Sequence, residues 1–287
     1  MAIAVVTGTS TGIGLATAAT LARAGHTVYA TMRNPETGSA ELHAIAEREH
    51  LPLRIAALDV DSDESVRNAF AKIHAEAGRI DVLVNNAGIS GGGATEETPM
   101  AVFRDVMETN YFGALRCIQA VLPGMRESRS GCIVNVTSVL GRFAMAPQAP
   151  YASSKFALEA ASESLAQETK AFGVRVAIVE PGVIATAIFG KFQPPAADSN
   201  YPQGRRIYEL FRASLESPVS PYVVGEKILE IVESGTWKLR HPVGPDAEGF
   251  LAWRASMSDE QWVEWGAISD EQWVDYVRQN FHLNVSL

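Results

Sequence analysis

The chain has 287 residues, of which 47% are hydrophobic and 20% are charged, and its formal net charge is −9. This hydrophobic fraction suits a buried core and excludes extensive disorder, and no apolar run approaches the roughly 20 residues that span a membrane. The acidic balance argues against a nucleic-acid partner, because phosphates require a basic surface. Two cysteines exclude a disulfide scaffold, and the first residues lack the basic segment of a secretory signal. Composition therefore predicts a soluble, cytoplasmic protein.

Short β-branched strands alternate with longer helices over about the first 180 residues. The predicted strands are 3–6, 27–30, 53–58, 81–85, 131–136 and 174–179, and the helices between them are 15–23, 41–49, 62–77, 100–126 and 151–172. Such alternation is typical of βαβ units. We therefore predict an α/β fold of the Rossmann type, a doubly wound parallel sheet with helices on both faces.

The rest of the chain departs from this alternation. Residues 183–220 contain four prolines and scattered aromatic side chains. This composition is typical of a functional insertion that covers a bound substrate. Residues 223–233 are predicted to form a helix. Ser258 and Ser269 are each followed three residues later by Gln, which predicts two short capped helices. We expect one catalytic domain over 1–287, with a substrate loop at 183–220 and a small C-terminal helical extension at 248–287.

The C-terminal extension has an unusual composition. All five tryptophans follow residue 236, and the segment from Asp246 onward has eight acidic residues against only two arginines. Residues 246–287 therefore carry −6 of the net charge of −9. Two hypotheses follow: the tryptophans simply pack two helices onto the body, or the extension also covers the substrate cleft or a subunit interface.

A glycine-rich loop directly follows the first predicted strand and precedes a helix. Glycines in this context let the backbone turn tightly and approach a pyrophosphate, which binds at the positive end of the helix. The candidate cofactor-binding residues in this loop are Gly8, Ser10, Thr11, Gly12, Ile13 and Gly14.

The end of the second strand indicates which dinucleotide would bind. Enzymes that use NAD usually place an acid there to bind the ribose 2′-hydroxyl group. This chain has no acid there but has Arg33, whose guanidinium suits a 2′-phosphate. The sequence therefore favours NADP (as NADPH in reduction) over NAD, unless Arg33 is only a solvated surface charge.

Polar residues also end the fourth and fifth strands and open the helix after them. Asn85 to Gly88 close the fourth strand, and Ser138 follows the fifth. Tyr151 and Lys155 are four residues apart, so both side chains lie on one face of a helix. A phenol with a pKa near ~10 needs a neighbouring cation to act as an acid-base at neutral pH, and Lys155 can supply it.

These motifs together resemble the short-chain dehydrogenase/reductase family, in its single-domain branch. The matches occur in family order and span residues 3 to about 247: Thr7, Gly8, Gly12, Gly14, Asp59, Val60, Asn85 to Gly88, Asn110, Ser138, Tyr151, Lys155, Pro181, Gly182 and Thr186. Within the family, segments 29–34 and 240–247 and the sequence Glu180-Pro-Gly are most similar to the retinol and 17β-hydroxysteroid dehydrogenases. That group is rich in NADP users.

The resemblance implies a role for each matching residue. Tyr151 would be the general acid-base, Ser138 would polarise the substrate carbonyl, and Lys155 would bind the nicotinamide ribose and lower the pKa of the tyrosine. The backbone carbonyl of Asn110 would hold a water in a proton relay. The remaining cofactor contacts would be Asp59 and Val60 at the adenine, Asn86, Ala87 and Gly88 at the ribose, and Pro181, Gly182, Val183 and Thr186 at the carboxamide.

The implied reaction is reversible hydride transfer between NADP(H) and an alcohol and its ketone or aldehyde. Apolar side chains predict an apolar, bulky substrate: Phe143, Met145, Ile188, Phe189 and Phe192. Three alternatives remain open: a ketoreductase of the 3-oxoacyl type acting on a carrier protein, a sugar-nucleotide epimerase, and a non-catalytic NADP-binding sensor. No metal site is predicted, because the six histidines are scattered. The resemblance implies a homodimer or homotetramer, paired through the helices at 100–126 and 151–172.

Overall fold

The computed structural model describes residues 1–191, 194–195 and 198–287. Among these residues, seven parallel strands form one sheet in the order β3-β2-β1-β4-β5-β6-β7. The strands are β1 (Ile3–Thr7), β2 (Thr27–Met32), β3 (Leu53–Ala57), β4 (Val82–Asn85), β5 (Gly131–Val136), β6 (Val174–Pro181) and β7 (Arg240–Val243). The strand order reverses between β1 and β4, which is where such sheets bind nucleotides. The predicted Rossmann-type fold is confirmed.

The seventh strand was not predicted from the sequence. It is four residues long, contains Pro242 and pairs only with β6, at the edge of the sheet. An edge strand tolerates proline, because one side of its backbone makes no ladder hydrogen bonds. A segment this short has too little periodicity to predict a strand without its neighbour.

Helices cover both faces of the sheet. One face buries apolar side chains of α1 (Gly12–Arg23), α3 (Ala40–Glu49) and α9 (Tyr222–Ser234). The other buries those of α4 (Asp63–Ala77), α6 (Gly113–Ser128) and α7 (Ala149–Thr169). The remaining helices are α2 (Pro35–Gly38), α5 (Met100–Met107), α8 (Gln203–Ser214), α10 (Ala247–Ala255), α11 (Asp259–Trp265) and α12 (Asp270–Phe281). None of the described helices is long and apolar enough to cross a membrane.

Two predicted helices differ in detail from the observed ones. The helix predicted at 100–126 is interrupted by a π-helical turn, Glu108–Phe112, between α5 and α6. The helix predicted at 151–172 begins earlier, at Ala149, and ends in a 3₁₀ turn, Lys170–Phe172. The first difference is functionally relevant, because a π turn inserts one residue into a helix and is frequent at binding sites.

A third apolar cluster lies beyond the sheet. It joins the segment after β5, including Phe143, to α8, α10 and α12. Trp253 of α10 lies at its centre, with ring centroids 4.9 Å from Trp262 and 5.6 Å from Trp265. The C-terminal tryptophans therefore pack against the substrate-loop helix as well as against each other.

Candidate active site

A cavity of about 940 Å³ lies at the carboxyl ends of β1, β4, β5 and β6. Its walls include the glycine-rich loop, the segments after those strands, and α8. All the predicted catalytic residues except Asn110 line it directly, as do all the predicted cofactor-binding residues except Gly14. The tertiary structure thus brings together side chains that are more than a hundred residues apart in the chain.

The glycine-rich loop forms a cradle that larger residues could not form. Gly8 and Gly12 have positive φ angles of 70° and 61°, which disfavour a side chain. A Cβ atom on Gly14 would lie 2.2 Å from the carbonyl oxygen of Gly8, and one on Gly8 would lie 2.7 Å from the Cα of Ala87. The backbone is therefore exposed at the N-terminus of α1, where a pyrophosphate can approach it closely.

Thr7 fixes this cradle to the end of β4. Its hydroxyl oxygen accepts hydrogen bonds from the backbone nitrogens of Asn86 and Ala87, each at 3.0 Å. The side-chain amide of Asn86 in turn donates to the carbonyl oxygens of Thr7 and Gly8, at 2.9 and 3.1 Å. The predicted ribose-binding segment and the predicted phosphate-binding loop are thus one rigid unit.

Arg33 lies exposed where the cavity would hold the adenosine end of a dinucleotide, and Asp59, Val60 and Asp61 line the same region. Asp61 accepts a hydrogen bond from the Thr109 hydroxyl at 3.0 Å, while its other oxygen has no partner among the described residues. Burial raises the pKa of Asp61. Asp61 was not predicted, and its position two residues after the matched Asp59 was the only available signal.

Ser138, Tyr151 and Lys155 meet at the centre of the cavity. Lys155 is 5% exposed, and its ammonium donates to the carbonyl oxygen of Val136 at 3.0 Å. The Ser138 hydroxyl accepts from the backbone nitrogen of Leu140 at 3.1 Å. The Lys155 nitrogen lies 5.5 Å from the centroid of the Tyr151 ring. The predicted pairing of a phenol with a nearby cation is therefore present in the structure.

Burial dominates the electrostatics of these groups. It raises the pKa of Tyr151 to about 12, and a hydrogen bond with Ser138 acts in the opposite direction. It lowers the pKa of Lys155 to about 8, and the carboxylate of Glu159 opposes this change. Both side chains are therefore mainly protonated at neutral pH, so the tyrosine is neutral and the lysine carries a positive charge.

Asn110 lies in the π turn, and hydrogen bonds hold its side chain. Its amide nitrogen donates to the carbonyl oxygen of Ile89 and to the hydroxyl of Ser154, both at 3.0 Å, and its oxygen accepts from the backbone nitrogen of Ile89 at 2.8 Å. A Cβ on Gly88 would lie 3.2 Å from this oxygen and 3.7 Å from the Lys155 nitrogen. Asn110 therefore lies beside Gly88 and links the segment after β4 to α7.

A network of charges around two buried glutamates begins one helical turn beyond Lys155. Glu159 accepts from the Thr137 hydroxyl at 2.7 Å and from Arg240 at 3.0 Å, while the fully buried Glu180 accepts from Arg142 at 3.0 Å. Burial raises the pKa of Glu159. The sequence indicates Glu180 only through the family resemblance and gives no signal for Glu159 or Arg240. Arg240 of β7 lies between Glu159 of α7 and Glu180 of β6, and the sequence alone does not show that these elements are neighbours.

The segment after β6 is held by a residue outside the predicted set. The Asp246 carboxylate accepts from the backbone nitrogen of Val183 at 2.9 Å, and a Cβ on Gly182 would lie 2.1 Å from it. Thr186 approaches Gly12, because a Cβ on Gly12 would lie 3.1 Å from its methyl carbon. The predicted carboxamide-binding segment therefore faces the glycine-rich loop across the cavity.

The substrate end of the cavity is mostly apolar, as predicted. Its walls include Phe143, Met145, Ile188 and Phe189, whereas the predicted Phe192 is outside the described residues. The predicted insertion also contributes a face of α8 that presents Ile207, Leu210 and Phe211. Phe250 of α10 lines the same end of the cavity and was not predicted.

Comparisons with known proteins identify the family of the chain. A family model for short chain dehydrogenases matches residues 2–196. The 3-ketodihydrosphingosine reductase of Bacteroides thetaiotaomicron is 40% identical over 247 residues, 85% of this chain and 88% of that protein. Retinol dehydrogenase 8 of Bos taurus is 41% identical over 201 residues, 69% of this chain and 64% of that protein.

A solved structure supports the same assignment. An actinorhodin polyketide ketoreductase with NADPH superposes with a TM-score of 0.75 and 29% identity, over 86% of this chain and 97% of that one. The resemblance indicated by the motifs is confirmed, including the similarity to a retinol dehydrogenase. The chain belongs to the short-chain dehydrogenase family of oxidoreductases.

Proposed function

We propose that the chain transfers hydride reversibly between NADP(H) and an apolar alcohol with its ketone or aldehyde. The observation that carries this proposal is the convergence of Ser138, Tyr151 and Lys155 on one cavity whose other end is the glycine cradle. The cradle fits a dinucleotide, because its bare backbone lies at a helix N-terminus.

Each residue has a distinct part in this mechanism. Bound NADP(H) would accept or supply the hydride. Tyr151 holds the proton that moves to or from the substrate oxygen, and the Ser138 hydroxyl donates a hydrogen bond to the same oxygen. Lys155 binds the ribose and, as a cation, favours the phenolate form of Tyr151, against the burial that raises the pKa of this tyrosine. The fixed Asn110 holds β4 and α7 at the spacing that these contacts require.

The preference for NADP follows from the charge at the adenosine end. Arg33 is exposed beside the cavity at the end of β2, where its guanidinium can reach a 2′-phosphate and bind it with charge-assisted hydrogen bonds. The ketoreductase structure with NADPH gives a precedent at 29% identity. NAD would lack the phosphate that Arg33 binds.

The apolar walls support an apolar substrate. The two relatives described above are named for retinol, an alcohol, and for 3-ketodihydrosphingosine, a ketone. Both compounds therefore belong in a first substrate panel. An acetoacetyl thioester belongs there too, because it tests the alternative of a 3-oxoacyl-type ketoreductase.

The deciding experiment follows oxidation of NADPH with the carbonyl compounds of this panel and reduction of NADP⁺ with retinol, with NADH and NAD⁺ compared and with Tyr151→Phe compared with the wild type. We expect turnover with NADPH, and a loss of about 10²- to 10⁴-fold in kcat for Tyr151→Phe, because the phenolic proton is removed. Tyr29→Phe is the matched control: it removes a hydroxyl from a buried tyrosine on β2 that bonds Arg54 and Glu76, away from the cavity.

Three results would contradict the proposal. Full turnover by Tyr151→Phe would contradict the role of Tyr151 as the general acid-base. Faster turnover with NADH would contradict the NADP preference inferred from Arg33. Thermal stabilisation by NADP without turnover of any panel compound would favour the non-catalytic sensor.

A further inference from the structure

Gln148 lies next to the catalytic tyrosine but has no part in the mechanism above. It is the residue before α7 and lines the cavity together with Tyr151, which follows three residues later. Residues three apart at a helix start lie about one turn from each other, with Cβ atoms roughly 5–6 Å apart. The side chain of Gln148 is therefore placed to reach atoms of a substrate close to its reacting carbonyl.

The side-chain amide nitrogen of Gln148 is buried without a partner among the described residues. The residue is 2% exposed, and its amide nitrogen makes no hydrogen bond to any described residue. The side chain does not cap α7. The other buried amides near the site differ in this respect: that of Asn110 bonds the backbone of Ile89 and the hydroxyl of Ser154. Since buried amides in proteins are nearly always paired, the partner of Gln148 is expected to come from the ligand.

The surroundings of this amide limit the chemistry of that ligand. The amide can donate or accept, and rotation of its terminal bond presents either group. Its neighbours on the cavity wall include the apolar Phe143 and Met145, so a neutral oxygen suits the position better than a charged group. We propose that Gln148 is a specificity-determining residue that hydrogen-bonds a second, uncharged oxygen of the substrate, one to three bonds from the reacting carbonyl carbon. This inference rests on the proposed function and narrows its substrate class.

The test compares two ketones that differ only in this oxygen, 2-decanone and 4-hydroxy-2-decanone, both reduced with NADPH. For the wild type we expect kcat/KM to be about tenfold to a hundredfold higher for the hydroxyketone, the range for a buried hydrogen bond. Gln148→Met keeps the length of the side chain but removes the amide, so the preference should disappear. Met145→Leu alters the wall beside it without touching an amide, and should keep the preference.

The outcomes separate this inference from the proposed function. Equal kcat/KM values for the two ketones in the wild type, or an unchanged preference in Gln148→Met, would overturn the role of Gln148. If the wild type reduces neither ketone, the proposed function is decided by the substrate panel above and not by this pair. The decision on Gln148 then passes to calorimetric titration of both ketones into NADP⁺-saturated wild type and Gln148→Met. Tighter binding of the hydroxyketone by the wild type alone supports the role, and any other binding result overturns it.

Discussion

The buried charge of Lys155 lowers the stability of the cofactor-free fold and is also the charge that the proposed reaction requires. It is 5% exposed, and its one hydrogen bond among the described residues is to the carbonyl oxygen of Val136. Burial lowers its pKa from 10.5 to about 8, so the folded chain carries the protonated lysine at a cost. Contacts with a cofactor ribose and with the Tyr151 phenolate would offset the cost of burying this charge, which gives a reason for a buried lysine at this position.

The consequence is a prediction for Lys155→Met. The folded-state pKa is below the unfolded value, so the penalty is fully present below pH 8 and fades as the pH rises towards 10.5. Removing the charge should therefore abolish turnover yet stabilise the cofactor-free protein at pH 7 by about 2 kcal/mol, with a smaller gain at pH 10. Urea denaturation at both pH values measures this, with Lys72→Met, at an exposed position on α4, as the control. A destabilised variant at pH 7 would contradict the argument.

At the scale of elements, the two C-terminal helices have the same start but different burial. Both begin with the predicted capping box, in which Ser258 and Ser269 accept from the third helical nitrogen and the Gln side chain accepts from the serine nitrogen. α12 buries Trp273 and Val277, whereas α11 has no buried residue. The same capping motif therefore begins one helix that buries side chains in the core and one that does not.

Removing each cap separately should show this difference. Ser269→Ala is expected to lower the free energy of unfolding by about 1 kcal/mol, because fraying of α12 loosens a buried tryptophan. Ser258→Ala should have a clearly smaller effect, because α11 can fray without exposing a buried side chain. Chemical denaturation of the two variants side by side is the measurement, and equal losses would contradict the interpretation.

At the scale of the whole molecule, hydrogen bonds between distant segments connect the acidic extension to the substrate end of the cavity. Arg206 of α8 is 6% exposed and donates to Asp270 at 2.8 Å and to the carbonyl oxygen of Ile268 at 2.7 Å. Gln203 of α8 donates to the carbonyl oxygen of Gly266 at 2.7 Å. The indole nitrogen of Trp262 donates to the carbonyl oxygen of Ala144, beside Phe143 of the cavity wall. These contacts support a role in shaping the cleft beyond simple packing.

Deleting residues 258–287 should therefore affect substrate and cofactor differently. We expect KM for the substrate to rise and thermal stability to fall, while NADP affinity, measured by calorimetry, stays close to that of the wild type. The reason is that the predicted cofactor contacts all precede residue 187. Arg206→Met, which loosens α8 but keeps the extension, should show the same pattern more weakly. Unchanged kinetics in both variants would show that the extension packs onto the body and does not shape the substrate cleft.

Much of this protein was determined by local sequence. Alternating apolar strands and helices specify the parallel sheet, because period and length decide the element type. The glycine-rich loop, Ser138 and the Tyr151–Lys155 pair predict the candidate catalytic centre, because they occur together in the order that the family resemblance implies. A π turn within 100–126 could not be predicted, since one inserted residue barely changes the apolar pattern.

Only the tertiary structure decided the partnerships between distant segments. Asp246 meets Val183, Glu159 meets Arg240, and α8 meets the C-terminal helices, each across more than 60 residues. Gln148 stands out for the opposite reason, because its amide has no such partner among the described residues. Burial and pairing arise when the chain is packed, so the sequence determined which groups are present, and packing decided which of them remain free to bind a ligand.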